Sequence, residues 1–218
     1  MRRLLVLIVV LAVIGGGLLL ADRAIAAAAE DRAEQRVSER IDADAEVTLH
    51  GSFPGLRLLV GQPLRAEMTA TDVPLAGVPA DLQRLDVTLT GVRLSVGDLR
   101  NPPDDLPPAD DGRFEARLDD EATFALAQVP RVVADLRISD GAVRLRVLGN
   151  EAAGDVQVRD GNIMIVPRTP LGALLTTDVP LDISGQPGDP LIEHAEIDGD
   201  VLIVRGVLRD LGRTGDGS

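Results

Sequence analysis

VVADLRISDGAVRLRVLGNEAAGDVQVRDGNIMIV, residues 132–166, is the stretch whose reading decides the fold class. Val143, Leu145 and Val147 alternate with Arg144 and Arg146, which puts the apolar side chains on one face of a strand and the arginines on the other. Asp140-Gly141 and Asp160-Gly161 punctuate the stretch, and a third pair, Asp198-Gly199, follows later. Asp-Gly between alternating runs is a strong hairpin signal, because both residues tolerate the positive φ that a tight turn between twisted strands requires. The spacing predicts successive strands over 132–139, 142–148, 154–159 and 162–166, and a closing hairpin of 192–197 with 201–208. Prolines between them leave 171–175 as an apolar turn.

The same period of two extends upstream. Leu64, Ala66, Met68 and Ala70 alternate with Arg65, Glu67, Thr69 and Thr71. Leu85, Val87 and Leu89 alternate with Asp86, Thr88 and Thr90, but after Gly91 the apolar set shifts by one to Val92, Leu94 and Val96. A glycine bulge in one bent strand accounts for that slip, and so do two strands joined by a turn at Gly91. NPPDDLPPADDG, residues 101–112, carries four prolines and four aspartates and is expected to be exposed loop without helix or strand. Its aspartates lack the Asp-x-Asp-x-Asp-Gly order of a calcium loop. Asp119 to Gln128 opens with two acids and ends ahead of Pro130, the pattern of a short capped helix.

The N-terminus decides the compartment. Leu4 to Leu20 contains no charged or polar side chain and follows Arg2 and Arg3. As a helix, the run with Ala21 covers about 27 Å, close to the roughly 30 Å hydrocarbon core of a bilayer. The arginines hold that end in the cytoplasm and send everything after Asp22 across the membrane. Two fates follow. A signal peptide would be cleaved at Ala24-Ile25-Ala26, releasing the protein; a retained anchor would leave a single-pass protein of the cell membrane with its C-terminal domain outside the cytoplasm. Retention is preferred, because the run is longer than an ordinary signal core and continues unbroken as helix. From Asp22 to Asp42 the Ala, Glu and Arg content favours a helix, with Ile25, Ala29, Ala33, Val37 and Ile41 forming a broad apolar side. It is either a solvated stalk or, as preferred here, a helix whose second half packs on the sheet.

Charge and composition remove several functions. The chain carries −13; Arg2 and Arg3 are the only charges in residues 1–21, so the remainder carries −15. Nucleic acid is excluded as a partner, as is adsorption to lipid through a basic surface. With no cysteine there is no disulfide, thiol nucleophile, zinc-thiolate site or acylated lipoprotein. Three Phe, no Trp and no Tyr leave little for stacking on bases or sugars. His50 and His194, the only histidines, sit in no metal or triad signature, and the Gly-x-Ser-x-Gly, P-loop and dinucleotide motifs are absent. The expectation is a protein without enzymatic activity, metal or cofactor.

Between the first strand, 46–50, and Leu64 lies the sequence Gly51-Ser52-Phe53-Pro54-Gly55-Leu56-Arg57-Leu58-Leu59-Val60-Gly61. Phe53, Leu56, Leu59 and Val60 crowd beside glycines and a proline, either as a buried corner or as a lip exposed to ligand or membrane. Preceded by an apolar run and an Ala/Arg/Glu helix, this Gly-x-Phe-Pro-x-Leu-x-x-Leu-x-Gly pattern resembles the LmeA-like phospholipid-binding proteins of actinobacterial cell envelopes. It departs from them at Gly55, where the family pattern usually has a second Phe. The resemblance implies an α+β fold, a curved antiparallel sheet built as a meander of hairpins around an N-terminal helix, similar to tubular lipid-binding folds. It also implies an envelope protein that shelters a phospholipid acyl chain in an apolar groove and supports envelope lipid or lipoglycan assembly. Phe53, Leu56, Leu59 and Val60 would be its lipid-contacting residues, phospholipid and membrane its partners, and a membrane-bound envelope enzyme a further partner. The alternative is an anchored scaffold that binds such an enzyme through this patch and carries no lipid. The expected organisation is an anchor or signal over 1–21, an amphipathic helix over 22–43, a β-rich domain over 44–211 and a disordered tail over 212–218.

Overall fold

The computed structural model describes residues 2–75, 78–93, 108–127, 133–147, 149–168, 179–181, 190–209 and 211, with side chains of the first helix described from Leu19 onward. The alternating segments form two antiparallel sheets. The first contains, in spatial order, β1 (Asp44–His50), β2 (Leu64–Pro74), β3 (Asp81–Val92), β4 (Asp111–Leu118), β11 (Val201–Leu208) and β10 (Pro190–Asp198). The second runs in chain order through β5 (Val133–Ser139), β6 (Ala142–Val147), β7 (Asn150–Arg159), β8 (Asn162–Pro167) and β9 (Val179–Leu181). The helices are α1 (Arg2–Ile41), α2 (Pro54–Leu59) and α3 (Asp120–Leu126).

Turn chemistry explains the hairpins. Asp140-Gly141 and Asp160-Gly161 are two-residue loops with positive φ at both positions, closing Ser139 on Ala142 and Arg159 on Asn162. At the third pair the loop is displaced by one. Asp198 still pairs with Val201, so the turn is Gly199-Asp200, with glycine alone at positive φ in the first loop position. Gly91 is a bulge within a continuous strand: Leu64 pairs with Val92 and Arg65 with Thr90, which leaves Gly91, at φ +70°, unopposed. The alternative of a turn at Gly91 is thereby removed; Leu94 and Val96 lie outside the described residues.

The expectation of a single meander around the N-terminal helix is corrected to two sheets, neither closed on itself. The chain leaves the first sheet after β4, builds the second from its Asp-Gly hairpins, and returns as β10 and β11, with β11 beside β4. The loop expected over 101–112 is also shortened, since Asp111 and Gly112 already belong to β4, a strand the Pro/Asp-rich stretch concealed. Residues 101–107, 171–175 and 212–218 lie outside the described residues. Leu118, Leu202 and Val204 of the first sheet pack with Leu145, Ile163 and Ile165 of the second, and α3 closes the end of this core with Ala122 and Leu126. Asp119 caps α3, its side chain accepting from the Ala122 amide at 2.9 Å.

Among the described residues, one buried polar side chain has no partner: Thr123 is fully buried and its Oγ1 makes no hydrogen bond to them. A buried hydroxyl without a partner costs about 1–3 kcal/mol. Thr123→Val keeps the branched shape and removes the hydroxyl, so thermal denaturation should show a rise of about 2–4 °C for each kcal/mol recovered; a fall would mean the hydroxyl is satisfied in solution.

α1 does not enter the sheet; it runs along the edge of β1. The Leu49 amide donates to Glu30 Oε1 at 2.8 Å, the Val47 amide to Glu34 Oε1 at 3.1 Å and the Ala45 amide to Ser38 Oγ at 3.1 Å. Four helical residues advance about 6 Å and two strand residues about 6.7 Å, so an i, i+4, i+8 row of acceptors matches alternate amides of an edge strand. The exposed edge, otherwise open to pairing with another chain, is thus covered. Asp120 repeats the device on β5, accepting from the Ile138 amide. The solvated-stalk reading of 22–42 is replaced by this packed helix.

α1 continues without a break across the 21/22 boundary. Among the described side chains, no helix is long and apolar enough to cross a membrane; the run 4–20 lies outside them except for Leu19 and Leu20.

Candidate functional site

The Gly51 to Gly61 segment forms a corner clamped to α1. Gly51 and Phe53 both have positive φ, at +138° and +56°, which swings the chain around so that Pro54 can begin α2 with its fixed φ and missing amide. Phe53 offers no side-chain cap. The donor is instead taken by Asp22, whose Oδ1 accepts from the Leu56 amide at 2.7 Å and which is itself buried. Gly55 permits the contact: a Cβ there would stand 2.3 Å from the Asp22 carbonyl oxygen and 3.0 Å from Ile25 Cβ. A larger side chain at this position has no room in this packing.

The corner divides its apolar residues. Leu58 is its buried leucine, at 1 %, alongside buried Pro54 and Gly55, and joins Ala29, Leu49 and Leu64 in a small core with Ile25 and Ala66 against it. Phe53, Leu59 and Val60 are exposed at 46, 49 and 69 %, and Leu56 is half-buried. The reading of the whole stretch as a buried corner therefore applies to Leu58, which the pattern had not singled out, whereas three of the four nominated residues face solvent. Leu19 and Leu20 are also exposed, at 57 and 75 %, in the turn of α1 preceding Asp22. Five large apolar side chains thus stand uncovered around the α1–α2 contact.

A second apolar surface lies on the inner face of the first sheet. Register places Val47, Met68, Val87 and Phe114 in one row across β1 to β4, with Leu49, Ala66, Leu89 and Gly112 in the next. Leu85 and Phe114 pack toward the large core, and Ala66 packs toward the small one. Met68, Val87 and Leu89 belong to neither and are only partly buried. Sequence periodicity identified them as the dry face of a strand. It could not show that they fall outside both buried clusters, because that depends on where the second sheet and Leu211, which lies beside Gly112 and Leu89, are placed.

The opposite face of the same strands is polar and internally paired. Asp86 accepts from Thr69 at 2.7 Å and from Arg84, and Glu115 receives Arg117 and, at 2.7 Å, Arg205, which also binds Glu196. The Arg205 hydrogen bond holds the Glu115 carboxyl below its ordinary range, and Arg84 does the same for Asp86. His50 and His194 are absorbed here, beside Glu67 at 2.9 Å and Glu196 at 3.4 Å. A cleft of about 470 Å³ on the outer face of the second sheet is likewise polar, with Arg137, Arg144 and Arg146 against Asp120, Asp135, Asp140 and Glu151. An apolar ligand would find its complement on the inner face and at the corner.

The sequence reasoning missed the acceptors Asp22, Glu30, Glu34 and Ser38, which position this site. Their multiples of four in spacing were the available signal, overshadowed by reading the acids as ordinary helix formers. Comparison with curated proteins and with solved structures returns no match. A family model described as LmeA-like phospholipid-binding matches residues 20–207, from the turn of α1 that carries the exposed leucines to the end of β11, and the chain belongs to that family.

Proposed function

We propose that this protein binds a phospholipid by laying an acyl chain along the partly buried inner face of the first sheet, at Met68, Val87 and Leu89, with Phe53, Leu56, Leu59 and Val60 at the entrance. The observation that carries this reading is the apolar strip that neither core covers. Affinity comes from methylene burial, about 0.8 kcal/mol each, since the acidic chain has no broad basic surface to adsorb with. The reading includes no chemical step and no cofactor. The run 4–20 serves as a retained anchor that holds the domain on the outer side of the cell membrane, where it handles envelope lipids.

The full chain, purified and extracted with organic solvent, should release phospholipid in near-equimolar amount by mass spectrometry, and should take up labelled lipid from phosphatidylcholine/phosphatidylglycerol vesicles. Lipid-free protein that acquires none would favour the scaffold that docks an envelope enzyme through the same corner.

A further inference from the structure

We infer that α2 is a second membrane contact, seated in the headgroup layer of the same bilayer that residues 4–20 enter, so that lipid passes to the sheet without crossing water. The inference rests on the lipid-carrier reading above. Three independent features point to a lipid surface as the occupant of the exposed patch.

The first is position. α2 is fixed to α1 at Asp22 and Ile25 by the carboxylate bond to the Leu56 amide and by the close approach at Gly55. Asp22 follows the apolar run by one residue, Ala21, so whatever plane that run reaches, α2 stands at it. Leu19 and Leu20 on α1, and Phe53, Leu59 and Val60 around α2, are exposed at this same level.

The second is charge. Residues 51–66 contain no acid in a chain of 35 acids and net charge −13; Arg65 is ion-paired with Glu67, which leaves Arg57, on α2 itself, as the cation of the segment. A lipid headgroup layer accepts a locally cationic segment while repelling the acidic remainder, which fixes which end points down. Among the described residues, the charged outer faces of both sheets offer no comparable apolar area.

The third is continuity with the inner face of the first sheet. Leu58, on the inward side of α2, packs on Leu64, and Ala66 next to it begins the inner-face row that continues to Leu89. A chain entering past Leu59 and Val60 would therefore meet apolar side chains from the bilayer to the strip. A short amphipathic segment lying in an interface, apolar on one side and packed to protein on the other, is a known mode of membrane contact.

The absence of cysteine makes the test direct. The full chain carrying Val60→Cys, labelled with an environment-sensitive fluorophore, is reconstituted in phosphatidylcholine/phosphatidylglycerol vesicles; Arg113→Cys, on the outer face of β4, is the control. The Val60 label should shift to the blue and be quenched at least threefold more by brominated acyl chains than the Arg113 label. Adding Leu59→Asp should remove at least half of that quenching. A Val60 label that stays in water overturns the inference, as does shielding that rises with protein density instead of lipid, which would assign the patch to a second copy. Extracted lipid is measured on the same samples. Lipid bound with Val60 wet defeats this inference alone, and Val60 buried without lipid defeats the carrier reading while leaving the contact standing.

Discussion

Gly206→Val should destabilise this protein more than any exposed substitution and lower its melting temperature by on the order of 10 °C. Gly206 sits on β11 between Phe114 of β4 and Ile192 of β10, beside the bulge that shifts register between Ile192 and His194. A Cβ there would stand 2.1 Å from the Leu191 carbonyl oxygen and 2.8 Å from Phe114 Cε1. The ring can rotate away, but the carbonyl belongs to the neighbouring strand, so relief requires β10 to move. Overpacking costs about 1–3 kcal/mol when side chains absorb it, and a backbone obstacle puts this case at the upper end or beyond. At about 2–4 °C per kcal/mol, the loss is easily read by thermal denaturation. Gly112→Ala is the contrast: its added Cβ meets only the ends of Leu211 and Leu89 at 3.0–3.1 Å, and should shift the midpoint little. Equal, small shifts in both would show that the β10 bulge yields, and that the packing of β10 and β11 around Phe114 is softer than its geometry.

The contrast shows which parts of the fold local sequence encodes. Asp140-Gly141 and Asp160-Gly161 specify their own turns, because the required φ signs are a property of those two residues. The slip of phase at Gly91 likewise reports a bulge from within one strand. Sheet assignment is different. β4 follows a stretch of sequence rich in proline and aspartate, and its partners are β3 before it and β11 some ninety residues later, as in the Glu115–Arg205 ion pair. Nothing in Arg113 to Leu118 distinguishes that neighbour from β5, so a meander of hairpins was the natural expectation and two sheets the outcome. The helix shows the same limit. Glu30, Glu34 and Ser38 have the spacing for an edge strand, yet the strand they serve begins at Asp44, and only tertiary packing turns their acceptors toward it.

The candidate site was legible in proportion to how far each residue's role is local. Phe53, Leu59 and Val60 stood out as too much hydrophobe for a turn, and they are exposed; Leu58, in the same run, carries the core because α2 turns it toward Ala29 and Leu64. A helical turn separates neighbours by about 100°, so one position decides between solvent and core. Once Pro54 starts the helix, the assignment follows, but the left-handed Phe53 that precedes it carries no sequence signal of its own.

Val87→Asp should abolish lipid carriage while Thr88→Asp should not, although the two positions adjoin on β3. Successive strand residues face opposite sides, so Val87 lies on the inner face with Met68 and Phe114, and Thr88 lies on the outer one between Glu67 and Arg113. Both changes remove a β-branched residue and introduce the same carboxylate, so their shared effect on strand propensity cancels in the comparison. They differ in what the carboxylate faces. A charge against an acyl chain must be desolvated without a partner, at a cost well above the 1.4 kcal/mol that corresponds to tenfold in affinity. Extracted phospholipid per mole of protein should therefore fall more than tenfold in Val87→Asp and stay within twofold of the parent in Thr88→Asp. Melting temperatures of both should show folded protein, since Val87 is only partly buried and its new carboxylate can reach water. Unchanged lipid in Val87→Asp would remove the inner face of the first sheet from the binding site. Equal loss in both would mean that the substitutions act through the strand and not through the groove, leaving the α1–α2 corner as the remaining place for lipid to bind.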